Sequence, residues 1–275
     1  MVDAECGNTD ICKDRPGSLN ERSGMQRQRF TDKVCVINGA ASEIGASVAA
    51  RLEDEGAIVV GVDRQAHDVG LDSIEADLTD EAQVVAMYAH VVANHGRLDV
   101  IYNNMGRMGG GDGSALHIEI DSWHQIIGDN LTSIFLCCKH GIPRLLETDP
   151  SGGAVVNAAS FLAGMGAATA PMAYTAAKAA VVQLTRDLGV SLARSGVRVN
   201  TVLFGPISTA AQKAILEASP DTLKNRMVHW PTGRLGSLEE AVSAVAFLAS
   251  DEAGYLTSVA LPLDGGIAGA FTVPE

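Results

Sequence analysis

Basic residues are scarce in this chain. Only 20 Lys and Arg stand against 33 Asp and Glu among 275 residues, a formal charge of −13, and such a surface cannot neutralise a line of phosphates. Nucleic-acid binding is excluded on that ground. Aromatic residues are few, at 4%, and charged residues reach just 19% while apolar residues make up 47%, a balance opposite to that of a disordered chain. The five cysteines are an odd number, two of them adjacent (Cys137, Cys138) and two in a polar N-terminal stretch (Cys6, Cys12). They form no disulfide framework and suit a reducing, cytoplasmic setting. The seven histidines show no ligand spacing, and no metal is expected. Ser151 to Ala177 carries no charge over 27 positions, yet Asn157, Ser160, Pro171 and several glycines interrupt it, which argues against a membrane span. The N-terminus lacks the apolar core of a signal peptide.

Abundant instead are glycine (29 residues), alanine and valine, a combination suited to helices packed closely on a parallel sheet. Residues 1 to 30 hold five acids and five bases with little apolar material, and read as a flexible tail, with Met25 a candidate start. From residue 31 to 275 the pattern is that of one domain without repeats or long linkers. Strands are expected at Val34 to Asn38, Ile58 to Val62, Ser73 to Asp77, Val100 to Asn103, Ala154 to Ala158, Val197 to Leu203 and Val259 to Leu263. Helices are expected near 44 to 54, 80 to 95, 121 to 147, 173 to 194 and 238 to 249. Such alternation requires right-handed parallel crossovers, and ligands then bind beyond the carboxyl ends of the strands.

The first strand runs into Asn38-Gly39-Ala40-Ala41-Ser42-Glu43-Ile44-Gly45 and then a helix. Gly39 permits the tight turn, Gly45 lets helix and strand approach, and the amides at the helix start can hold a pyrophosphate. Asp63 follows 24 residues after Gly39, at the end of the second strand. A carboxylate there accepts hydrogen bonds from both ribose hydroxyls and repels a 2′-phosphate bearing up to about two negative charges. NAD is therefore favoured over NADP, although Arg64 beside it leaves room for a phosphate-tolerant site.

The loop resembles the TGxxxGIG signature of the short-chain dehydrogenase/reductase family, with Asn38 in place of Thr and Glu43 in place of the middle Gly. Asp77-Leu78 is similar to the family's adenine-binding Asp, and Asn103-Asn104-Met105-Gly106 to its NNAG. Asn130 within Asp129-Asn130-Leu131, Ser160 after Val155-Val156-Asn157-Ala158-Ala159, and Tyr174 with Lys178 match the family's Asn-Ser-Tyr-Lys tetrad. Asn200 to Thr209 resembles N-x-V-x-P-G-x-I-x-T with Phe204 for Pro, a change expected to leave that loop less rigid; Gly205, Ile207 and Thr209 fall on its cofactor positions. The likeness extends over about residues 31 to 270. It implies a Rossmann-type doubly wound parallel α/β sheet with helices on both faces, in a single domain, and a homotetramer. By the same resemblance Ser42, Glu43, Ile44, Met105, Gly106, Tyr174 and Lys178 join the cofactor site, with the Glu43 carboxylate expected to face solvent.

Oxidising a secondary alcohol requires loss of the hydroxyl proton as hydride leaves carbon, so a base near neutral pH must touch the oxygen. Bringing a tyrosine from about 10 to about 7 requires roughly 4 kcal/mol. An ammonium about 4 Å away, at an effective dielectric of about 20, supplies about that much. A spacing of four puts Lys178 one turn from Tyr174 on the same helix face. Ser160 would hydrogen-bond the substrate oxygen, and Asn130, by resemblance, would hold a water linking Lys178 to solvent. Residues 207 to 232 would form a lid carrying Ile215, Leu216, Met227 and Trp230. Its apolar character favours a neutral alcohol or ketone as the small-molecule substrate. The alternatives are a 3-oxoacyl thioester reductase and a non-catalytic NAD-sensing protein.

Overall fold

In the computed structural model, residues 28–109, 111–149, 152–166, 171–217, 226 and 228–270 are described. The strands are β1 (Val34–Asn38), β2 (Ile58–Asp63), β3 (Asp72–Glu75), β4 (Val100–Asn103), β5 (Ala154–Ser160), β6 (Arg198–Phe204) and β7 (Ala260–Leu263). They pair in parallel in the order β3-β2-β1-β4-β5-β6-β7, the doubly wound Rossmann-type arrangement. Strand ends differ from expectation by one or two residues, as ends commonly do.

Alternate side chains serve opposite faces. Val34 and Val36 join a core with α2 (Glu81–His95), α4 (Ser133–Thr148) and α5 (Met172–Leu192), whereas Cys35 and Ile37 join one with α1 (Glu43–Asp54) and α7 (Leu238–Ala249). Cys137 and Cys138 are buried in the first core as free thiols. Local capping starts several helices: Ser42 Oγ accepts from Gly45 N–H, Asp80 from Ala82 and Gln83 N–H, and Ser237 forms a reciprocal box with Glu240.

Three expectations need correction. The helix predicted over 121 to 147 is divided: α3 (Ile120–Ile127) and α4 are joined by a π turn over Gly128–Thr132, in which Ser133 N–H donates to Gly128 O five residues back. The last residues assigned to the predicted tail of residues 1 to 30 belong to the folded domain. Residues 1–27 lie outside the described residues, but Phe30 is fully buried beneath α1 and α7, and Arg29 pairs with Glu55 and Glu252. Phe204, expected to loosen a loop, is instead the last residue of β6, paired with Ser160 and Leu263; unlike proline it carries an N–H and fits a ladder.

Three asparagines cross the sheet at one level. Asn38 Nδ2 donates to Asn103 Oδ1 at 2.9 Å, Asn103 Nδ2 to Asn157 Oδ1 at 2.8 Å, and Asn157 Nδ2 to Thr185 Oγ1 on α5 at 3.0 Å. Asn38 pairs in register with Asn103, and Asn103 with Asn157. All four residues are fully buried. Asn103→Leu would break two of these bonds and strand both partners away from water, so urea unfolding should show a loss of about 3 kcal/mol; a loss below about 1 kcal/mol would mean that the ladder adds little to stability.

Candidate active site

The turn after β1 and the ends of β2 and β4 enclose a cleft of about 340 Å³, walled by Gly39, Ser42, Asp63, Arg64, Leu78, Asn104, Met105 and Gly106 among the predicted residues. The backbone explains two of these positions. Gly39 has φ +82°, and a Cβ on Gly106 would stand 2.9 Å from Lys178 Nζ. Gly45 lies behind the wall, where a Cβ would meet Gly39 O at 2.3 Å.

Asp63 Oδ2 accepts from Ala41 N–H at 3.1 Å and Oδ1 from Gln65 N–H at 3.0 Å, joining the end of β2 to the glycine loop. Arg64 turns toward carboxylates: its Nη2 donates to Asp129 Oδ1 at 2.6 Å and lies 4.0 Å from Asp77 Oδ1. Asp77 is held below the usual carboxylate range chiefly by Thr79 N–H, with burial opposing and the Thr79 hydroxyl and Arg64 assisting. Asp129, a wall of the cleft on the π turn, was missed by sequence reasoning; only its place beside Asn130 could have marked it. Arg107 is a further wall of the same cleft. Its N–H and C=O hold the two ends of the Asn130 amide at 3.1 Å each, and Asn130 Nδ2 also donates to Ile126 O at 3.0 Å.

Glu43 does not simply face solvent as expected. Its Oε2 accepts from Ala210 N–H at 2.7 Å, joining the start of α1 to the start of α6 (Ala210–Glu217), because the first-turn amides of a helix attract a carboxylate. Ile44 packs against the α1 side of the core. Gly205 N–H donates to Leu263 O at 2.9 Å, Ile207 bridges to Gly236, and Thr209 Oγ1 accepts from Gln212 N–H at 3.1 Å. Of the predicted lid, Leu216 and Trp230 are buried and Ile215 is exposed; Met227 falls outside the described residues.

Ser160 ends β5, and Tyr174 and Lys178 lie one turn apart on α5. Ser160 Oγ accepts from Leu162 N–H at 3.2 Å, and it stands close enough to the Tyr174 phenol to oppose the effect of burial there. Lys178 is 2% exposed, and its Nζ donates to Met105 O at 2.7 Å and Ala158 O at 2.9 Å, 5.8 Å from the centre of the Tyr174 ring. The electrostatics differ from the expectation of a tyrosine drawn down by an ammonium. Burial pushes the Tyr174 phenol up, with Ser160 opposing it, and the same desolvation pulls Lys178 down to about 7. The nearest acceptors of Lys178 are carbonyls, which leave its charge unpaired.

A family model described as Enoyl-(Acyl carrier protein) reductase matches residues 39–268. Cis-4-hydroxycyclohexanecarboxylate dehydrogenase from Sinomonas cyclohexanicum is 36% identical over 251 residues, spanning 87% of this chain and 98% of that one. The chain belongs to the short-chain dehydrogenase/reductase family. Meso-2,3-butanediol dehydrogenase from Serratia marcescens is 35% identical, over 86% of this chain and 95% of that protein. Ligand-free aldohexose dehydrogenase from Thermoplasma acidophilum superposes with a TM-score of 0.79 at 30% identity, over 89% and 98% of the two chains. As a short-chain dehydrogenase/reductase, the protein is an oxidoreductase acting on CH–OH groups with a nicotinamide cofactor and a small-molecule substrate. The glycine-lined cleft, the acid at the end of β2 and the carboxylate-bound Arg64 fit such a dinucleotide. No helix among the described residues is long and apolar enough to cross a membrane.

The low position of Lys178 has a stability consequence. Between about 7 and the ordinary 10.5 the unfolded chain binds more protons than the folded one, so stability from this group rises with pH over that window. In a comparison of Lys178→Met with the wild type, the methionine variant's relative advantage in unfolding temperature should shrink from about pH 7.5 to about pH 10. A difference constant across that range would show that Lys178 keeps its charge in the folded protein.

Proposed function

We propose that the protein transfers hydride between a neutral, mostly apolar secondary alcohol, or its ketone, and NAD, with Tyr174 as general acid/base. The observation that carries this reading is the meeting of Ser160, at the end of β5, with the Tyr174 phenol at the start of α5, and Lys178 buried one turn further along that helix. A nicotinamide held by the cleft residues would supply the acceptor, or the donor, for the hydride of the alcohol carbon. Tyr174 takes the hydroxyl proton, and Ser160 holds the substrate oxygen and its developing charge. Lys178, near equal protonation at neutral pH, relays that proton, and Asn130, fixed by Arg107 and Ile126, orders the relay. Acid–base groups of this kind contribute about 10² to 10⁴ in rate.

For the cofactor, Gly39, Ser42, Glu43, Ile44 and Gly45 form the pyrophosphate turn, with the Glu43 carboxylate held to Ala210. Asp63 and Arg64 border the ribose, Asp77 and Leu78 the adenine, and Asn104, Met105 and Gly106 the floor. Gly205, Ile207 and Thr209 flank the nicotinamide side. NAD is favoured because Arg64 is committed to Asp129 and also faces Asp77 and Asp63, so a 2′-phosphate would meet carboxylates rather than a free guanidinium. The thioester-reductase alternative is favoured by 30% identity to a 3-oxoacyl-[acyl-carrier-protein] reductase from Thermotoga maritima and opposed by a net charge of −13, which suits docking of an acidic carrier poorly. Exposed Phe135 on α4 and Val190 on α5 support assembly as a homotetramer through these helices, and the buried free thiols suit a cytoplasmic setting.

Fluorescence titration should show NADH binding at least about tenfold more tightly than NADPH, a gap of about 1.4 kcal/mol; a preference for NADPH would overturn the assignment of Asp63 and Arg64. Tyr174→Phe should lower turnover by about 10² to 10⁴ with NADH affinity unchanged. Retained turnover would remove Tyr174 from the acid/base role.

A further inference from the structure

Helix α5 carries Tyr174 and Lys178 yet brings no side-chain cap of its own, since Pro171 precedes its first residue and makes no cap bond. Its first-turn amides are met from 61 positions away. Asp112 Oδ1 accepts from Ala173 N–H at 3.0 Å, and Oδ2 accepts from Tyr174 N–H at 3.0 Å. Oδ1 also takes Gly113 N–H at 2.8 Å, and Gly113 O accepts from Met172 N–H at 3.4 Å. Both carboxylate oxygens are thus spent on the turn that bears the phenol. The chain that follows β4 reaches the other members of the group too: Met105 O receives Lys178 Nζ, and Arg107 holds the Asn130 amide.

We propose that Asp112 is a positioning residue whose carboxylate clamps the first turn of α5 and so fixes where the Tyr174 phenol stands against Ser160. This rests on the reading of Tyr174 as the acid/base. The first amides of a helix have no partner within it and fray unless something outside binds them. An anion suits that end of the helix dipole, and a two-oxygen grip constrains the direction of the helix start as well as its presence. One of the two gripped amides is that of Tyr174 itself. Loosening the grip spreads the phenol over several positions, and a misplacement of about 1 Å costs about 10²-fold in rate. Neither Asp112 nor the first turn of α5 is among the walls of the cleft between the glycine loop, β2 and the π turn, so the dinucleotide affinity is expected to stay nearly constant.

The test compares the full chain with Asp112→Ala, Asp112→Asn, Tyr174→Phe and Ser237→Ala, the last removing a local cap from α7 as a control for helix-cap loss in general. Turnover is assayed with NAD and a panel of neutral secondary alcohols headed by meso-2,3-butanediol and cyclohexanol, and NADH affinity is measured by fluorescence. Asp112→Ala should lower kcat by about 10- to 100-fold while the alcohol KM and the NADH affinity stay within about twofold. Asp112→Asn keeps one acceptor and should fall between Asp112→Ala and wild type. Ser237→Ala should lose thermal stability with kcat unchanged. Amide hydrogen exchange gives a readout that needs no substrate: protection at Ala173 and Tyr174 should be lost in the Asp112 variants and kept in Ser237→Ala. Wild-type kcat in Asp112→Ala, an equal kcat loss in Ser237→Ala, or unchanged protection at Ala173 and Tyr174 would each overturn the clamp. Turnover retained by Tyr174→Phe would overturn the acid/base reading and the clamp's role with it. Loss in Tyr174→Phe with normal Asp112→Ala would overturn the clamp alone. Should no alcohol in the panel react, the exchange result decides.

Discussion

A primary amide both donates and accepts, and three of them in line make a one-way chain through a place where water cannot go. The bonds from Asn38 to Asn103 to Asn157 to Thr185 tie β1, β4, β5 and α5 at one height. A slip of β4 or β5 by a single residue would turn an asparagine to the other face of the sheet and take a partner from both of its neighbours. The ladder therefore sets register where register matters most. Gly39 and Asn104 follow immediately after rungs, and Ala158, which receives Lys178, follows Asn157. The cleft and the α5 group inherit their alignment from this row. In this light the replacement of a threonine by Asn38 is a change of ladder chemistry, because a hydroxyl has one proton to give and a shorter reach.

Desolvation governs the site above that row. It raises Tyr174 and lowers Lys178, disfavouring charge on both. Lys178 is held by backbone carbonyls, which orient an ammonium without neutralising it. A lysine so placed responds strongly to any charge brought near, whereas one salt-bridged to a carboxylate would not. Burial, which acts on both Tyr174 and Lys178, has a larger effect than the ammonium's attraction for a phenolate.

How much of this was legible in the residues depends on the range of each interaction. The inner strands β1, β2, β4, β5 and β6 announce themselves through short runs rich in valine and isoleucine, because a parallel sheet buried on both faces demands them. Ser160, Tyr174 and Lys178 are readable because strand end and helix pitch are local geometry, and the structure does bring them together. The π turn leaves no such trace: Gly128 to Thr132 looks like ordinary helix, and only the tertiary demand on Asn130 calls for the extra residue. Arg64 with Asp129, Glu43 with Ala210, and Asp112 with α5 are contacts across 65, 167 and about 61 positions. Spacing rules carry no information at that range, and the Glu43 carboxylate in particular reads naturally as a solvated charge. The end of the predicted tail failed for the same reason, since Phe30 is buried by α1 and α7 rather than by its neighbours.

The single π turn also shapes how this stretch of chain can change over evolution. Each residue of a regular helix advances about 100° around the axis, so the additional residue between α3 and α4 sets the azimuth of everything after it. Ile134, Cys137, Cys138 and Leu145 meet the sheet only because of that offset. Deleting one residue from the turn would restore an unbroken helix and at the same stroke rotate the α4 seam away from its core. Point substitutions at Gly128, Leu131 or Thr132 keep that azimuth whereas a change in length does not, so the segment resists insertions and deletions in a way that a surface loop does not.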